Sequence, residues 1–387
     1  AIFYVIWTYA EQSGTTTFLL SDIVDNVRLS AEEQVWLFAA FALAFGIKVP
    51  IFPFHTWLPD AHVEAPTGGS VVLAGVLLKM GLYGFIRFAY PLFPEGAVVF
   101  APYLAILGAI GIVYGALVAW AQHDMKKLVA YSSVSHLGYC VLGFVALNTL
   151  ATTGSIYQML NHGVSTGALF LLVGVLYDRK HTREISAYGG LAGKIPVFAF
   201  LFLVFTLSSI ALPLTNGFIG EFMILAGAYQ AYPTLTIISV SGVILGAVYM
   251  LTLYMKTMYG DFSEERNGDL TDVNNRELAT LIPLFVLVFV MGVYPKPFLS
   301  LIEPTVDQYV RDQRARTVEV PSGDKLGHGL EIASGTLLPD QAQYEKAAME
   351  LPPLQPVSTQ SRFAKLQAAM RTVSVEADSG SDIPGVK

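Results

Sequence analysis

Hydrophobic residues along this chain gather into long runs that short polar segments separate. A run of about twenty apolar residues can cross the hydrocarbon core of a bilayer, which is roughly 30 Å thick. We predict a membrane-spanning helix in each of eight runs: 33–58, 68–93, 100–120, 126–148, 154–177, 196–226, 234–259 and 277–298. Residues 1–32 are predicted to be the remnant of a preceding transmembrane helix and its loop. The fold class is therefore an all-α polytopic membrane protein.

Two of these runs contain residues that interrupt a helix. Pro50 and Pro53 lie in the first run, within GIKVPIFPF, and Pro213 lies in the sixth, within LPLTNGFIG. Proline removes a backbone donor and clashes with the preceding turn, so we predict that both helices are broken. The two breaks align as IKVPIFP against IALPLTN. Broken helices at matching positions of two halves are typical of inverted-repeat transporters, and the short match suggests such a repeat.

The composition agrees with a membrane protein and excludes several other classes. Hydrophobic residues make up 53% of the 387 residues and charged residues 14%, whereas soluble domains carry about 25% charged residues. The net charge of -7 indicates no nucleic-acid partner. A single cysteine, Cys140, excludes a disulfide framework and an iron–sulfur cluster.

Basic residues are unevenly divided between the two sets of loops. With eight spans, one side of the membrane holds the loops 59–67, 121–125, 178–195 and 260–276. Together with the adjoining helix ends, these loops carry eight Lys and Arg residues, whereas the short loops of the other side carry Arg28 alone. The positive-inside rule predicts that the basic side faces the cytoplasm. Residues 301–387 then lie on the opposite side, and their polar composition predicts a disordered tail.

Three isolated charges lie inside the predicted spans. Lys48 falls at the first break, Glu221 falls at the second, and Lys79 lies in the middle of the second span. A charge in this position costs about 2.5–3.5 kcal/mol, so it requires a polar cavity or a partner. A structural ion pair between helices would satisfy these residues. Burial also brings the pKa values of lysine and glutamate toward neutrality, which suits a proton relay.

Two histidines extend this set of titratable groups. His136 in SVSHLGY and His162 in LNHGVSTG lie within neighbouring spans, among residues with hydroxyl and amide groups that could hold water. Histidine exchanges a proton near neutral pH without any perturbation. A single buried histidine is more often a hydrogen-bonded core residue, but two of them on adjacent spans favour a relay.

Other conspicuous residues favour simpler interpretations. The segment FHTWLPDAHVEAP offers His55, Asp60, His62 and Glu64 as metal ligands. A polar loop at the broken helix explains them better, because Pro53 makes helical spacing unreliable there. No dinucleotide or phosphate-binding motif is present. We therefore expect neither a bound metal nor a cofactor in this chain.

Three segments of the chain are distinctive, namely GIKVPIFPFHTWLPDAHVEAPTGGSVVLAGVLLKMGLYGFIRF, HDMKKLVAYSSVSHLGY and GFIGEFMILAG. Together they resemble the antiporter-like membrane subunits of respiratory complex I and the related subunits of Mrp-type sodium/proton antiporters. The similarity runs over residues 33–297. The family's twelfth helix is broken and commonly carries lysine, but subunit 4, the bacterial M-type chain, carries glutamate there. Glu221 therefore makes subunit 4 the closest match.

The resemblance implies a role for each of the candidate residues. Lys48 would be the lysine of broken helix seven, whose charge state a glutamate on helix five modulates. Lys79 would be the central relay lysine on helix eight, and His136 and His162 would line the polar axis. Glu221 would be the last station toward the outer side.

The chain also departs from the family pattern. Family members have fourteen helices, whereas this sequence is expected to begin within the sixth. The partner glutamate of Lys48 and most of the first repeat would then be missing. A fragment, a split gene and a truncated paralogue all fit this pattern.

By resemblance, the chain is a proton-translocating membrane subunit of an NADH:quinone oxidoreductase. NADH, FMN, iron–sulfur clusters and quinone would bind elsewhere in the complex. The partners would be other membrane-arm subunits, including neighbouring antiporter-like subunits, and the lipid bilayer. The bacterial inner membrane is favoured over mitochondrial and plastid membranes. The alternatives are a subunit of an Mrp-type sodium/proton antiporter and a truncated structural subunit that does not pump.

Overall fold

A computed structural model describes residues 1–318 of the chain, and helices dominate this part of it. We number the α-helices α1 Ile2–Ser13, α2 Leu20–Asn26, α3 Ala31–Lys48, α4 Trp57–Glu64, α5 Thr67–Leu92, α6 Pro94–Trp120, α7 Met125–Val145, α8 Thr149–Lys180, α9 Leu191–Lys194, α10 Pro196–Ser209, α11 Asn216–Ala231, α12 Pro233–Met258, α13 Glu264–Asn267, α14 Asn275–Val293 and α15 Lys296–Val318. A 3₁₀ turn covers Ile185–Ala187. Helix α5 contains two π-helical segments, Leu73–Leu77 and Phe85–Ala89.

The predicted arrangement of membrane-spanning segments is confirmed. In the described part of the chain, six helices are long and apolar enough to cross a membrane, namely α5, α6, α7, α8, α12 and α14. The two remaining predicted spans are the ones in which we expected a break. Both appear as pairs of shorter helices, α3 with α4 and α10 with α11. The predicted all-α class is therefore correct.

The first break separates α3 from α4 over residues 49–56. Helix α3 begins at a capping box, in which Ser30 and Glu33 satisfy each other's backbone N–H groups. It ends at Lys48, ahead of Pro50 and Pro53. The Trp57 indole donates a hydrogen bond of 2.9 Å to the carbonyl of Ile47, which fixes the start of α4 beside the end of α3.

The second break separates α10 from α11 over residues 210–215. Ala211 and Leu214 adopt positive φ angles of 56° and 78°, a region that costs non-glycine residues free energy. Packing closes this break tightly, because a Cβ on Gly217 would meet the carbonyl oxygen of Ser208. The first turn of α11 therefore lies directly against the last turn of α10.

Helix α7 forms the centre of the bundle. In its most apolar window 94% of the residues are buried, compared with 39% for α5. Helices α6 and α8 both pack extensively against α7. A helix that is buried on all sides carries its polar residues into the protein interior rather than toward lipid. The polar residues of α7 and α8 are therefore placed where a buried site can form.

The predicted disordered tail is wrong for residues 301–318. These residues belong to α15, which lies along one end of the bundle. Arg314 donates to the carbonyl of Leu147 at 3.0 Å, and Thr149 donates to Asp307 at 2.6 Å. Val306 and Val310 are buried on the same helix. These contacts, which the polar composition concealed, order the segment. The rest of the predicted tail, 319–387, lies outside the described residues.

Candidate proton-transfer site

The buried histidine of α7 meets the buried glutamate of α11. Nδ1 of His136 lies 2.8 Å from a carboxylate oxygen of Glu221, and the two side chains are 7% and 6% exposed. The side-chain amide of Gln158, on α8, donates to the same oxygen at 2.9 Å. Three helices therefore converge on this carboxylate. It is paired, as a buried charge must be.

The second pair joins α5 to α8. Nζ of Lys79 lies 2.7 Å from Nδ1 of His162. The same ammonium also donates a hydrogen bond to the carbonyl oxygen of Ala74, which belongs to the π-helical segment of α5. Segments of this type are frequent at functional sites. Lys79 is thus directed to His162 by a contact within its own helix.

The two pairs are neighbours in the protein interior. The rings of His136 and His162 have centroids 5.8 Å apart. Both histidines line a small polar cavity, together with Gln158, Asn161, Ser165, Thr166, Ser208, Ser209 and Gly217. The cavity leaves about 10 Å³ for the centre of a water molecule, which is close to the minimum that one water requires. Lys79, His162, His136 and Glu221 therefore form one connected series.

Hydroxyl groups near the second break support this series. The hydroxyl groups of Ser209 and Tyr249 each lie 3.4 Å from Nε2 of His136. Ser208 donates to the side-chain oxygen of Asn216 at 2.6 Å, and its own oxygen lies 2.6 Å from that of Ser165. These groups hold the broken helix α10–α11 against α8. They also offer acceptors and donors to water in the cavity.

Sequence reasoning missed several members of this site. Gln158, Ser208, Ser209 and Tyr249 were not among the predicted residues. Gln158 had a visible signal, because it lies four residues before His162 and therefore on the same face of a helix. Tyr249 had none, since one tyrosine among nineteen carries no indication of its neighbours.

Lys48 is separate from this series. Its side chain is half-buried at the end of α3, and no carboxylate of residues 1–318 forms an ion pair with it. Of the five predicted site residues, the structure brings four together, and Lys48 lies apart from them. The four are Lys79, His162, His136 and Glu221.

His55 and His62 occupy separate aromatic surroundings. The His55 ring lies 5.6 Å from the Phe52 ring and 5.1 Å from the Tyr114 ring, measured between centroids. The His62 ring stacks on Phe170 at 4.4 Å. Both imidazoles are buried. The prediction that these histidines belong to a polar loop therefore does not describe their surroundings.

Comparison with known proteins identifies the class to which this fold and site belong. Residues 1–246 match the family described as NADH:quinone oxidoreductase/Mrp antiporter, TM. The chain belongs to this family, as the resemblance predicted. Family membership and the apolar helices make it a multi-pass integral membrane protein. Bacterial relatives in Rhodobacter and Rickettsia support the bacterial inner membrane as its location.

Particular relatives carry the names of one subunit type. The chain is 50% identical over 287 residues to NADH-quinone oxidoreductase subunit M of Rhodobacter capsulatus, which covers 74% of this chain and 56% of the relative. It is 45% identical over 300 residues to NADH-ubiquinone oxidoreductase chain 4 of Marchantia polymorpha, with 78% and 60% covered. The chain thus spans about 60% of the length of these curated relatives, and the predicted similarity to subunit 4 is confirmed.

Solved structures show the same fold. A chain of respiratory complex I from Thermus thermophilus with bound NADH superimposes with a TM-score of 0.75 at 38% identity, covering 80% of this chain and 65% of that one. A chain of the Mrp complex from Dietzia sp. DQ12-45-1b superimposes with a TM-score of 0.68 at 19% identity, covering 80% and 65%. The second likeness concerns the fold alone.

Proposed function

We propose that this chain is a proton-translocating membrane subunit of an NADH:quinone oxidoreductase. The supporting observation is the continuous series from Lys79 through His162 and His136 to Glu221. All four groups can bind and release a proton, and they are contributed by four different helices. Subunit names among the relatives favour the oxidoreductase over a sodium/proton antiporter.

Proton transfer along the series requires little movement of heavy atoms. Protonated Lys79 gives its proton to Nδ1 of His162, since 2.7 Å is within the reach of direct transfer. His162 releases a proton from Nε2, which has no hydrogen-bond partner in the described part of the chain. Water in the cavity carries that proton to Nε2 of His136. His136 then passes the proton on Nδ1 to the Glu221 carboxylate and returns to its neutral form.

Redox chemistry elsewhere in the complex drives this transfer through charge. In a medium of low dielectric constant, a change in one buried charge alters the proton affinity of the next group strongly. This chain then contributes no redox centre. NADH, FMN, iron–sulfur clusters and quinone bind to other subunits, and the contacts of this chain are with neighbouring membrane-arm subunits and lipid.

Substitution of the lysine tests the proposal. We expect Lys79→Ala to abolish or sharply reduce proton translocation through this subunit, because the ammonium that starts the series is removed. Proton uptake per NADH oxidised is measured in inverted membrane vesicles that carry the assembled complex. Lys296→Ala, at an exposed helix start, is the matched control. A normal proton-to-electron ratio in Lys79→Ala would overturn the proposal.

The alternative functions predict different results in the same vesicles. A sodium/proton antiporter would show sodium-dependent proton flux in vesicles that lack any NADH dehydrogenase. A bracing subunit would tolerate Lys79→Ala and Glu221→Ala with an effect on assembly alone. The two measurements therefore separate the three functions.

A further inference from the structure

Helix α10 connects the polar cavity with the end of the bundle that carries the loops 178–195 and 260–276. It begins at Pro196 and ends at Ser209, just before the second break. Ser208 and Ser209, in its last turn, line the cavity. At 1.5 Å per residue, the helix is about 21 Å long. Because a helix of this length moves as a rigid rod, the position of its first turn decides where these two hydroxyl groups lie.

The first turn of α10 has no capping side chain of its own. The N–H of Ile195 donates to a backbone carbonyl of the preceding turn, and Pro196 has no N–H group. The N–H groups of Val197 and Phe198 are the two that remain free at this helix start. Both donate to the carboxylate of Asp272, each at 2.9 Å and each to a different oxygen. Asp272, which lies in the loop between α13 and α14, is therefore the cap of α10.

Helix α8 holds this cap from the other side. Arg179, in the last turn of α8, donates to the backbone carbonyl of Asp272 at 3.1 Å and to the hydroxyl of Thr271 at 3.4 Å. Arg179 is itself fixed by Glu277, at 2.8 Å. Asp272 thus joins the first turn of α10 to the last turn of α8.

Helices α8 and α10 meet a second time at the cavity. The hydroxyl oxygen of Ser165, on α8, lies 2.6 Å from that of Ser208. The hydroxyl of Ser209 lies 3.4 Å from Nε2 of His136. About 15 Å separates Phe198 from Ser208 along the helix. Polar contacts therefore fix α10 at both of its ends, one at the surface loop and one at the relay.

The second break makes α10 dependent on its cap. A continuous span extends past its centre on both sides, but α10 ends at Ser209, and the chain then turns through positive φ angles at Ala211 and Leu214. Phe198 is buried, so loss of the carboxylate would leave its N–H without an acceptor. Buried N–H groups are almost always paired. The first turn would shift toward water or another acceptor, and Ser208 would move with it.

We propose that Asp272 is a positioning residue for the relay, because it holds α10 in register with α8. Ser208 and Ser209 then face the water-sized cavity between the two histidines. This inference rests on the proposed function. Asp272 touches no group that carries the proton, and it acts through a rigid half-helix. A residue of a surface loop thereby determines the geometry of the step from His162 to His136.

Substitution of the cap tests the inference. We expect Asp272→Ala to slow NADH-driven proton uptake by about tenfold or more, because a misplacement of about 1 Å by a distant substitution can cost about 100-fold in rate. Asp272→Asn keeps one oxygen acceptor for the helix start, so its uptake should lie between those of Asp272→Ala and the unsubstituted protein. Uptake is measured in inverted vesicles that contain the assembled complex and is normalised to the amount of complex on a native gel.

Asn274, in the same loop, provides the matched control. It caps α14 by accepting a hydrogen bond of 2.9 Å from the N–H of Glu277, whereas the residues that line the cavity belong to α7, α8, α10 and α11. Asn274→Ala removes a helix cap of the same kind. Its unfolding temperature in detergent should therefore fall about as far as that of Asp272→Ala, while its uptake per complex should stay normal.

Each further result decides between the inference and its alternatives. Normal uptake per complex in Asp272→Ala, alongside its loss in Lys79→Ala, would overturn the inference and leave the proposed function intact. Equal losses in Asp272→Ala and Asn274→Ala would also overturn the inference, because loosening of the loop would then explain both. If Asp272→Ala does not assemble, Asp272→Asn decides: uptake severalfold below that of the unsubstituted protein supports the inference, and equal uptake overturns it. Normal uptake in Lys79→Ala would overturn the proposed function itself.

Discussion

Nζ of Lys79 and Nδ1 of His162 lie 2.7 Å apart, although 83 residues separate them along the chain. Two glycines next to this pair explain how α5 and α8 come so close. Gly163 follows His162, and a Cβ at this position would lie 3.0 Å from the carbonyl oxygen of Gly75. Such a distance is shorter than ordinary van der Waals contact. The absence of a side chain at Gly163 thus permits the hydrogen bond beside it.

The first prediction concerns this close approach. We expect Gly163→Ala to push α8 away from α5 and to lengthen the contact between Lys79 and His162. Overpacking of this kind costs about 1–3 kcal/mol. The temperature of thermal unfolding in detergent should fall, and proton uptake in vesicles should decrease. Gly167→Ala is the control, because a Cβ there meets the Val71 side chain at an ordinary 3.8 Å. Equal unfolding temperatures for the two variants would contradict the explanation.

The second prediction tests the far end of the relay. Glu221→Gln keeps the shape of the side chain and can still accept the hydrogen bond from Gln158, but it cannot take a proton from His136. We therefore expect normal assembly with proton uptake reduced by about tenfold or more. The control is Glu303→Gln on the exposed face of α15. Uptake at the level of the unsubstituted protein in Glu221→Gln would remove Glu221 from the series.

The third prediction concerns an ion pair between the last turn of α8 and the first turn of α14. Arg179 donates to both carboxylate oxygens of Glu277 at 3.0 and 2.8 Å, and the two side chains are 15% and 14% exposed. Arg179→Ala should destabilise the fold by about 2–3 kcal/mol, because it leaves Glu277 without its cation. Unfolding in detergent, followed by circular dichroism, measures this change.

The adjacent pair provides the control for that measurement. Lys180 lies 3.1 Å from Asp269, whose side chain is 70% exposed. A solvated pair of this kind contributes less than about 1 kcal/mol, so Lys180→Ala should have little effect. A similar loss of stability in both variants would show that burial does not distinguish the two pairs.

The fourth prediction concerns the attachment of α15. Arg316 donates to the carbonyls of Val24 and Pro91, both at 3.3 Å, and pairs with Asp25 at 3.3 Å. We expect Arg316→Ala to release the last turns of α15, because these contacts hold it to the bundle. Amide hydrogen exchange of residues 309–317 should then increase.

Another arginine of the same helix is the matched control. Arg311 pairs within α15 alone, with Asp307 at 3.5 Å, and its side chain is 54% exposed. Arg311→Ala should leave hydrogen exchange almost unchanged. Increased exchange in both variants would indicate that helix propensity, and not docking, keeps α15 folded.

Much of this protein could be predicted from local pattern. The six continuous spans follow from the length of the hydrophobic runs, because the thickness of the bilayer fixes how many apolar residues a span needs. Both broken helices follow from Pro50, Pro53 and Pro213, because proline lacks the backbone N–H that a helix requires. The isolated charges were visible for the same reason, since Lys79 and Glu221 are conspicuous in an apolar run. The inverted repeat and the domain boundaries stay predictions.

Tertiary structure decided how these groups are combined. Which histidine pairs with Lys79, and which with Glu221, depends on helix packing at contacts such as Gly75 with Gly163. Composition made α15 look like a solvated tail, whereas its order depends on carbonyls contributed by segments that are distant along the chain. The sequence placed His62 in a polar loop, whereas in the folded protein its ring is buried against Phe170. Periodicity and composition report the neighbours of a residue along the chain, and a buried polar site is made from neighbours in space.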